Sequence, residues 1–221
     1  MNYDLKDEEQ AKAYLERVGV EYRFQCFHEK SPEGCHRLAD YFESVKKENE
    51  RAAKMYKSTC DDYHYGHSCY KYGNYRTVGQ GCEKDITEAI KYETKGCDYD
   101  YIPACYQTGI LSLSKGHQNI PNAVTYLTKA CSNNHPLACF NLSALYMRDQ
   151  TELKKDMKKA FELALKGCEL GHLYSCVNLS IMYRRGDGVD QNSELADKYK
   201  KKAQSMRDEL VKSEQTIRMN E

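Results

Sequence analysis

The chain has 221 residues with 33 basic and 33 acidic side chains, so its formal charge is zero and it lacks the cationic footprint of a nucleic-acid binder. At 40% hydrophobic it can bury a stacked core, yet it contains no run of about 18 apolar residues able to span a membrane. Trp is absent and Tyr reaches 19 against 5 Phe, so phenols carry the aromatic packing, with rings buried and hydroxyls wet.

In chain order, residues 5–25 predict one or two leading helices, interrupted near Gly19. Helices in a first position follow at about 32–44, 67–76, 103–113, 137–148 and 173–184. They alternate with second helices at about 47–60, 85–97, 121–131, 156–168 and 191–210. The second helices carry apolar stripes at helical spacing: Ala52, Ala53 and Tyr56; Ala89, Ile90 and Tyr92; Ala123, Val124 and Leu127; Ala160, Phe161 and Ala164. Asp85 and Asp190 can cap helices and Pro121 can open one. Gly96, Gly167 and Gly171 stand at or beside helix ends, where a left-handed residue fits easily.

Ten of the 11 cysteines form a ladder across this alternation: Cys26/Cys35, Cys60/Cys69, Cys97/Cys105, Cys131/Cys139 and Cys168/Cys176. The offset is nine in the first two pairs (35−26, 69−60) and eight in the last three (105−97, 139−131, 176−168). First cysteines step by 34 or 37 residues (60−26, 97−60, 131−97, 168−131), the period of a helix-pair repeat. Small residues keep the same register four positions after each second cysteine: Ala39, Gly73, Gly109, Ser143 and Ser180. Small side chains let two helices approach closely, and the bulky neighbours Leu38, Tyr72, Leu142 and Leu179 fill the space beside them.

The run Tyr183-Arg184-Arg185-Gly186-Asp187-Gly188-Val189-Asp190, followed by Ala196, resembles the Sel-1-like repeat, a relative of the tetratricopeptide repeat. A looser copy spans Tyr75–Asp85, with Gly79 and Gly81 in the turn, whereas the turns at Ser114–Ile120 and Arg148–Lys155 lack the double glycine. The resemblance covers roughly residues 30–205. It implies an all-α, right-handed α/α solenoid of about five disulfide-stapled helix pairs. A cysteine-rich subset of the family joins the end of one helix pair to the start of the next at this offset. Within that subset, the acidic start Asp7-Glu8-Glu9-Gln10, the segment Cys26–Lys30 and Asp156-Met157 before Lys166–His172 resemble mitochondrial assembly factors. The domain reading is a cap over 1–30, one repeat array over 31–206 and a helix end with tail over 207–221.

Zinc sites place two to four residues between paired cysteines, whereas seven or eight intervene here, a separation that a tight turn can bring within disulfide range. Cys60, His64, His67 and Cys69 form the one local cluster with zinc-like composition. Cys82 is the free thiol, placed in a turn beside Glu83 and Asp85, which disfavour a thiolate, and Lys84, which partly offsets them. No Cys-x-x-Cys-His haem attachment is present, and His28 reads as a surface or capping residue; no cofactor is expected, with haem left open. Ser44-Val45-Lys46-Lys47 matches Ser-x-x-Lys, but the Ser-Asp-Asn and Lys-Thr-Gly partners of β-lactam-acting enzymes are missing. Asn141 and Asn178 match the glycosylation pattern while keeping the repeat register, and Lys198–Lys202 reads as a solvated helix face.

Paired cysteines imply an oxidising compartment, and the polar stretch Met1–Glu9 has neither an apolar leader core nor transit-peptide arginines. Together these point to the mitochondrial intermembrane space and import through its disulfide relay. The expected role is a monomeric, non-enzymatic scaffold for respiratory-chain assembly proteins or subunits, which the resemblance narrows to complex IV. The competing readings are a thiol–disulfide or haem-linked redox protein and a β-lactamase-like hydrolase.

Overall fold

A computed structural model describes Asp4 and residues 6–219; Met1 to Tyr3 and Leu5, part of the polar N-terminal stretch, lie outside the described residues, as do Asn220 and Glu221. The described residues form 11 helices: α1 (Glu8–Phe27), α2 (Pro32–Ser44), α3 (Asn49–Tyr63), α4 (Gly66–Val78), α5 (Ile86–Asp98), α6 (Ile102–Leu111), α7 (Ile120–Ser132), α8 (Pro136–Tyr146), α9 (Met157–Glu169), α10 (Leu173–Arg185) and α11 (Ser193–Met219). The fold is an α/α solenoid of the expected kind. It divides into two compact units, Met1–Leu111 and Ser112–Glu221.

Each turn between a second helix and the next first helix is set by one left-handed residue: Lys30, His64, Asp100, Asn134 and Gly171, with φ between 52° and 87°. In three of these turns the side chain of the next residue caps the following helix: Ser31 accepts from Gly34 N–H, and His135 and His172 accept through Nδ1 from Ala138 and Ser175 N–H. The left-handed residue lies four positions after the cysteine in the first two turns and three in the others (30−26, 64−60; 100−97, 134−131, 171−168). That single extra residue is the origin of the nine- and eight-residue offsets. In every case the second cysteine is then the fourth residue of its helix, facing the end of the preceding one.

Turns within a pair use the double glycine where it survives. Gly81 (φ 63°) and Gly188 (φ 73°) are left-handed, and each passes so close to the start of the preceding second helix that a Cβ would collide with the carbonyl of Asn49 or Met157. The second helices α5, α7 and α9 begin on side-chain caps: Asp85 accepts from Glu88 N–H at 2.9 Å, Asn119 from Asn122 and Asp156 from Lys159. Pro121 lies in the opening turn of α7. Asn192, not Asp190, caps α11 by accepting from Leu195 N–H, because the glycine turn needs the intervening residues.

Three further expectations are corrected. α1 is continuous through Gly19, which is buried because the Tyr41 ring of α2 lies where its Cβ would be, 2.5 Å away. Gly96 and Gly167 lie inside α5 and α9, where they admit Ala104 of α6 and Ser175 of α10 rather than supplying a left-handed turn. α11 runs to Met219, well past the expected end near 210.

The core follows the repeat register. Ala39, Ala52, Ala89, Ala123, Ala160 and Ala196 are fully buried, as are Leu38, Leu127 and Leu179. In the second unit, Ser143 and Ser180 donate from Oγ to the carbonyls of Ala160 and Ala196, both at 2.7 Å, tying first helix to second. Six tyrosines are buried more deeply than the wet-hydroxyl expectation: Tyr41, Tyr56, Tyr72, Tyr75, Tyr92 and Tyr146. Charged partners meet several of their hydroxyls. Tyr92 donates to Asp61 at 2.9 Å, and Tyr146 accepts from Lys159 at 2.7 Å.

Candidate functional site

The ladder cysteines lie at disulfide distance, sulfur to sulfur 2.03–2.12 Å and Cα to Cα 4.4–4.8 Å, each joining a second helix to the next first helix. All ten are 3% exposed or less, out of reach of a dissolved thiol. The zinc-like cluster is separated by this arrangement. Cys60 and Cys69 bond to each other, His64 ends α3 against Tyr99, and His67 stacks on Tyr101. Among the described residues no three His, Cys, Asp or Glu converge on a metal site.

Cys82 is the free cysteine, half-buried in the turn after α4. Burial pushes its thiol above the ordinary value; Arg76 opposes this and Glu88 adds to it. Its controlling neighbours are therefore Arg76 and Glu88, not the adjacent acids Glu83 and Asp85. Arg76 is itself held by Glu88 at 2.5 Å and Asp85 at 3.3 Å, so its positive charge is shared. His28 ends α1 with its ring stacked on Phe24 at 5.0 Å. Ser44 closes α2 and Lys47 sits in the following turn with φ 57°. Asn141 donates to the Leu137 carbonyl within its own helix. Within the basic run, Lys202 reaches the carbonyl of Cys168 at 3.1 Å.

The richest side-chain cluster lies on the first helices of the first unit. His36, Asp40 and Glu43 recur at helical spacing on α2 and face His67 and Lys71 on α4. Tyr56 reaches up from α3 and its hydroxyl donates to Asp40 at 2.5 Å and Glu43 at 2.7 Å. Lys71 donates to Glu43 at 2.6 Å. Burial and these two acceptors raise the Tyr56 phenol far above its ordinary range. Glu43 is held below the usual carboxylate range: burial works against this, and the bonds from Lys71 and Tyr56 outweigh it.

His36 is buried, its Nδ1 2.9 Å from Ser68 Oγ and its Nε2 3.5 Å from Asp40. Burial lowers its pKa to about 4, against the pull of Asp40. Burial also lowers that of His67, so both rings are neutral at physiological pH. They open a continuous aromatic patch. His36 lies 4.0 Å from His67 and 5.4 Å from Tyr65, His67 lies 4.6 Å from Tyr101, and Tyr101 lies 5.2 Å from Tyr70. Tyr65, His67, Tyr70 and Tyr101 are each half-exposed. Rings of this kind offer flat apolar area and polar edges to a peptide at low entropic cost. Sequence reading passed over this cluster, although three polar residues at 36, 40 and 43 interrupting an otherwise small and apolar helix face were a visible signal.

A Sel1 repeat family model matches residues 32–64, 66–98, 102–135, 136–172 and 173–203, following the helix pairs in order. The chain belongs to the Sel1 repeat family. Among its relatives it is 43% identical to a cytochrome c oxidase assembly factor 7 homolog of Drosophila melanogaster, over 98% of this chain and 96% of that one. It is 37% identical to cytochrome c oxidase assembly factor 7 of Homo sapiens, over 97% and 96%. In three dimensions it is similar to a Sel1 repeat protein from Oxalobacter formigenes, with a TM-score of 0.68 at 23% identity, covering 79% of this chain and 73% of that one. This second likeness supports the fold alone. No helix of the described residues is long and apolar enough to cross a membrane.

Proposed function

We propose that this Sel1 repeat chain is a non-enzymatic scaffold that helps assemble mitochondrial respiratory complex IV from within the intermembrane space. The observation that carries this reading is the similarity, spanning nearly the whole of both chains, to proteins named as cytochrome c oxidase assembly factors. The chemistry of the cysteines and the aromatic patch agrees with it. The bonded cysteines are sealed in the core, the free thiol is raised by burial, and the half-exposed rings around His67 form a surface suited to holding a partner. The partners are respiratory-chain assembly proteins or subunits, met after the intermembrane-space disulfide relay has closed the ladder during import.

The test is complementation of cells lacking this protein, with assembled complex IV read on native gels. The wild-type chain and Cys82→Ser should restore the complex. A triple variant, His67→Ala with Tyr70→Ala and Tyr101→Ala, should accumulate folded in mitochondria yet restore it poorly. Full rescue by the triple variant would remove the patch from the account. A requirement for Cys82 would favour thiol chemistry instead.

A further inference from the structure

The repeat register continues one step past the last disulfide, and there the chain changes character. Ser180 bonds to Ala196 as Ser143 bonds to Ala160, so α11 repeats α9 with Ala196 in the place of Ala160. Four residues after that alanine stand Tyr56, Glu93, Leu127 and Ala164 in the earlier second helices, every one of them buried; in α11 the position is Lys200, and it is exposed. Eight residues after the alanine each earlier helix has its ladder cysteine (168−160), whereas α11 has Gln204 (204−196). The rung that would staple a following first helix is missing.

The seat for that helix is nevertheless built. Val177 follows the second ladder cysteine of α10, as Tyr70 and Phe140 follow theirs. Tyr70 packs on Tyr101 at 5.2 Å and Phe140 on His172 at 4.6 Å, both rings belonging to the next repeat. Among the described residues no further first helix covers Val177, which is 36% exposed; Ile181, one turn on, is 42% exposed. With Leu173 they floor a groove of about 400 Å³ between α10 and α11, whose wall carries Lys200, Gln204 and Arg207. Arg184 adds a third cation to the rim and is held by Asp197 at 2.6 Å; no carboxylate lines the groove itself.

We infer that this groove binds an amphipathic α-helix of a partner protein, seated as a sixth first helix, with acidic side chains directed at Lys200 and Arg207. The apolar floor supplies the burial and the two cations select the sign of the occupant. Because Gln204 replaces the cysteine, the contact is reversible where every internal one is locked.

The probe is a fluorescein-labelled peptide built on the α8 sequence, with Cys139 replaced by Ser and three positions flanking its small-residue face set to Glu; a companion carries Lys at those positions. Against the full-length oxidised protein, the acidic peptide should bind about tenfold tighter than the basic one. Val177→Asp should abolish binding, and Lys200→Glu with Arg207→Glu should reverse the preference. These side chains are exposed, so the variants should fold; an unchanged thermal midpoint checks that. Equal binding of the two peptides, or a preference untouched by charge reversal, would overturn the proposal.

Placement has its own test, on a Cys82→Ser, Gln204→Cys background. A peptide with cysteine as its fourth helical residue should form a mixed disulfide, the two thiols giving up two protons and two electrons to oxidised glutathione, which leaves as two reduced molecules. A peptide with its cysteine two residues further on should not. Equal crosslinking of both peptides would contradict the sixth-helix register.

Discussion

Glu93 and His36 are buried titratable groups whose protonation drives stability in opposite directions. Glu93 is fully buried, neither carboxyl oxygen has a hydrogen-bond partner, and burial holds its pKa well above the ordinary value, with the Tyr101 phenol as an electrostatic neighbour. Its raised folded pKa means that its contribution is fully present below the unfolded value near 4.5 and is lost as pH rises towards the folded value. Glu93→Gln should therefore stabilise the protein at pH 7 by about 1–2 kcal/mol and flatten that part of the pH profile. His36 works the other way. Its pKa falls from 6.5 to about 4, so stability present above pH 6.5 is lost on acidification towards pH 4, by up to about 3 kcal/mol. Thermal melts of Glu93→Gln and His36→Asn between pH 4 and 7.5 separate the two. A wild-type profile unchanged by either substitution would contradict the assignments. Neither environment was legible in the sequence. Glu93 shares its register position with Tyr56, Leu127 and Ala164, but nothing in the chain marks it as unpaired, and the Ser68 partner of His36 comes from α4, 32 residues away.

At the scale of elements, most of the fold was written in the chain. Five cysteine pairs and the alanine register placed nine helices to within a few residues and the start of a tenth, α11, because repeat packing imposes the same small and large positions each time. Glycine was where the reading failed. Composition does not distinguish a residue needed for its backbone angle from one needed for close approach, so Gly19 read as a break and Gly96 as a helix end. Side chains from other helices decide both cases. The distinction is testable at two left-handed glycines. At Gly171 (φ 87°) an added Cβ meets nothing within 4 Å, so Gly171→Ala should cost about 1 kcal/mol of backbone strain. At Gly188 (φ 73°) the Cβ would also strike the Met157 carbonyl, so Gly188→Ala should cost roughly 3 kcal/mol or more. Equal midpoints in chemical denaturation would show that the glycine turn does not rest on α9 as described.

At the scale of the molecule, the disulfides decide how helix pairs with little core of their own stay assembled. Each closes a loop of about nine residues, worth about 2.5 kcal/mol by the chain-entropy relation, and each lies at a second-to-first helix junction rather than inside a pair. Cys131→Ser with Cys139→Ser should accordingly lower the thermal midpoint of the oxidised protein by several degrees, and should lower its mitochondrial abundance as the reduced chain turns over faster. An unchanged midpoint would mean that this rung does not hold α7 to α8. The sequence also marked where the stapling stops, at Gln204, although that became readable only when the Ser180–Ala196 bond fixed the register of α11.

The central claim is a ladder of closed staples carrying a binding scaffold, with no thiol pair kept for exchange. Its most direct measurement is non-reducing peptide mapping of the protein taken from intact mitochondria after rapid alkylation. The account predicts five linked peptides, Cys26–Cys35, Cys60–Cys69, Cys97–Cys105, Cys131–Cys139 and Cys168–Cys176, with Cys82 alkylated. A link between rungs, a substantial reduced fraction of any pair, or Cys82 in a mixed disulfide would contradict it.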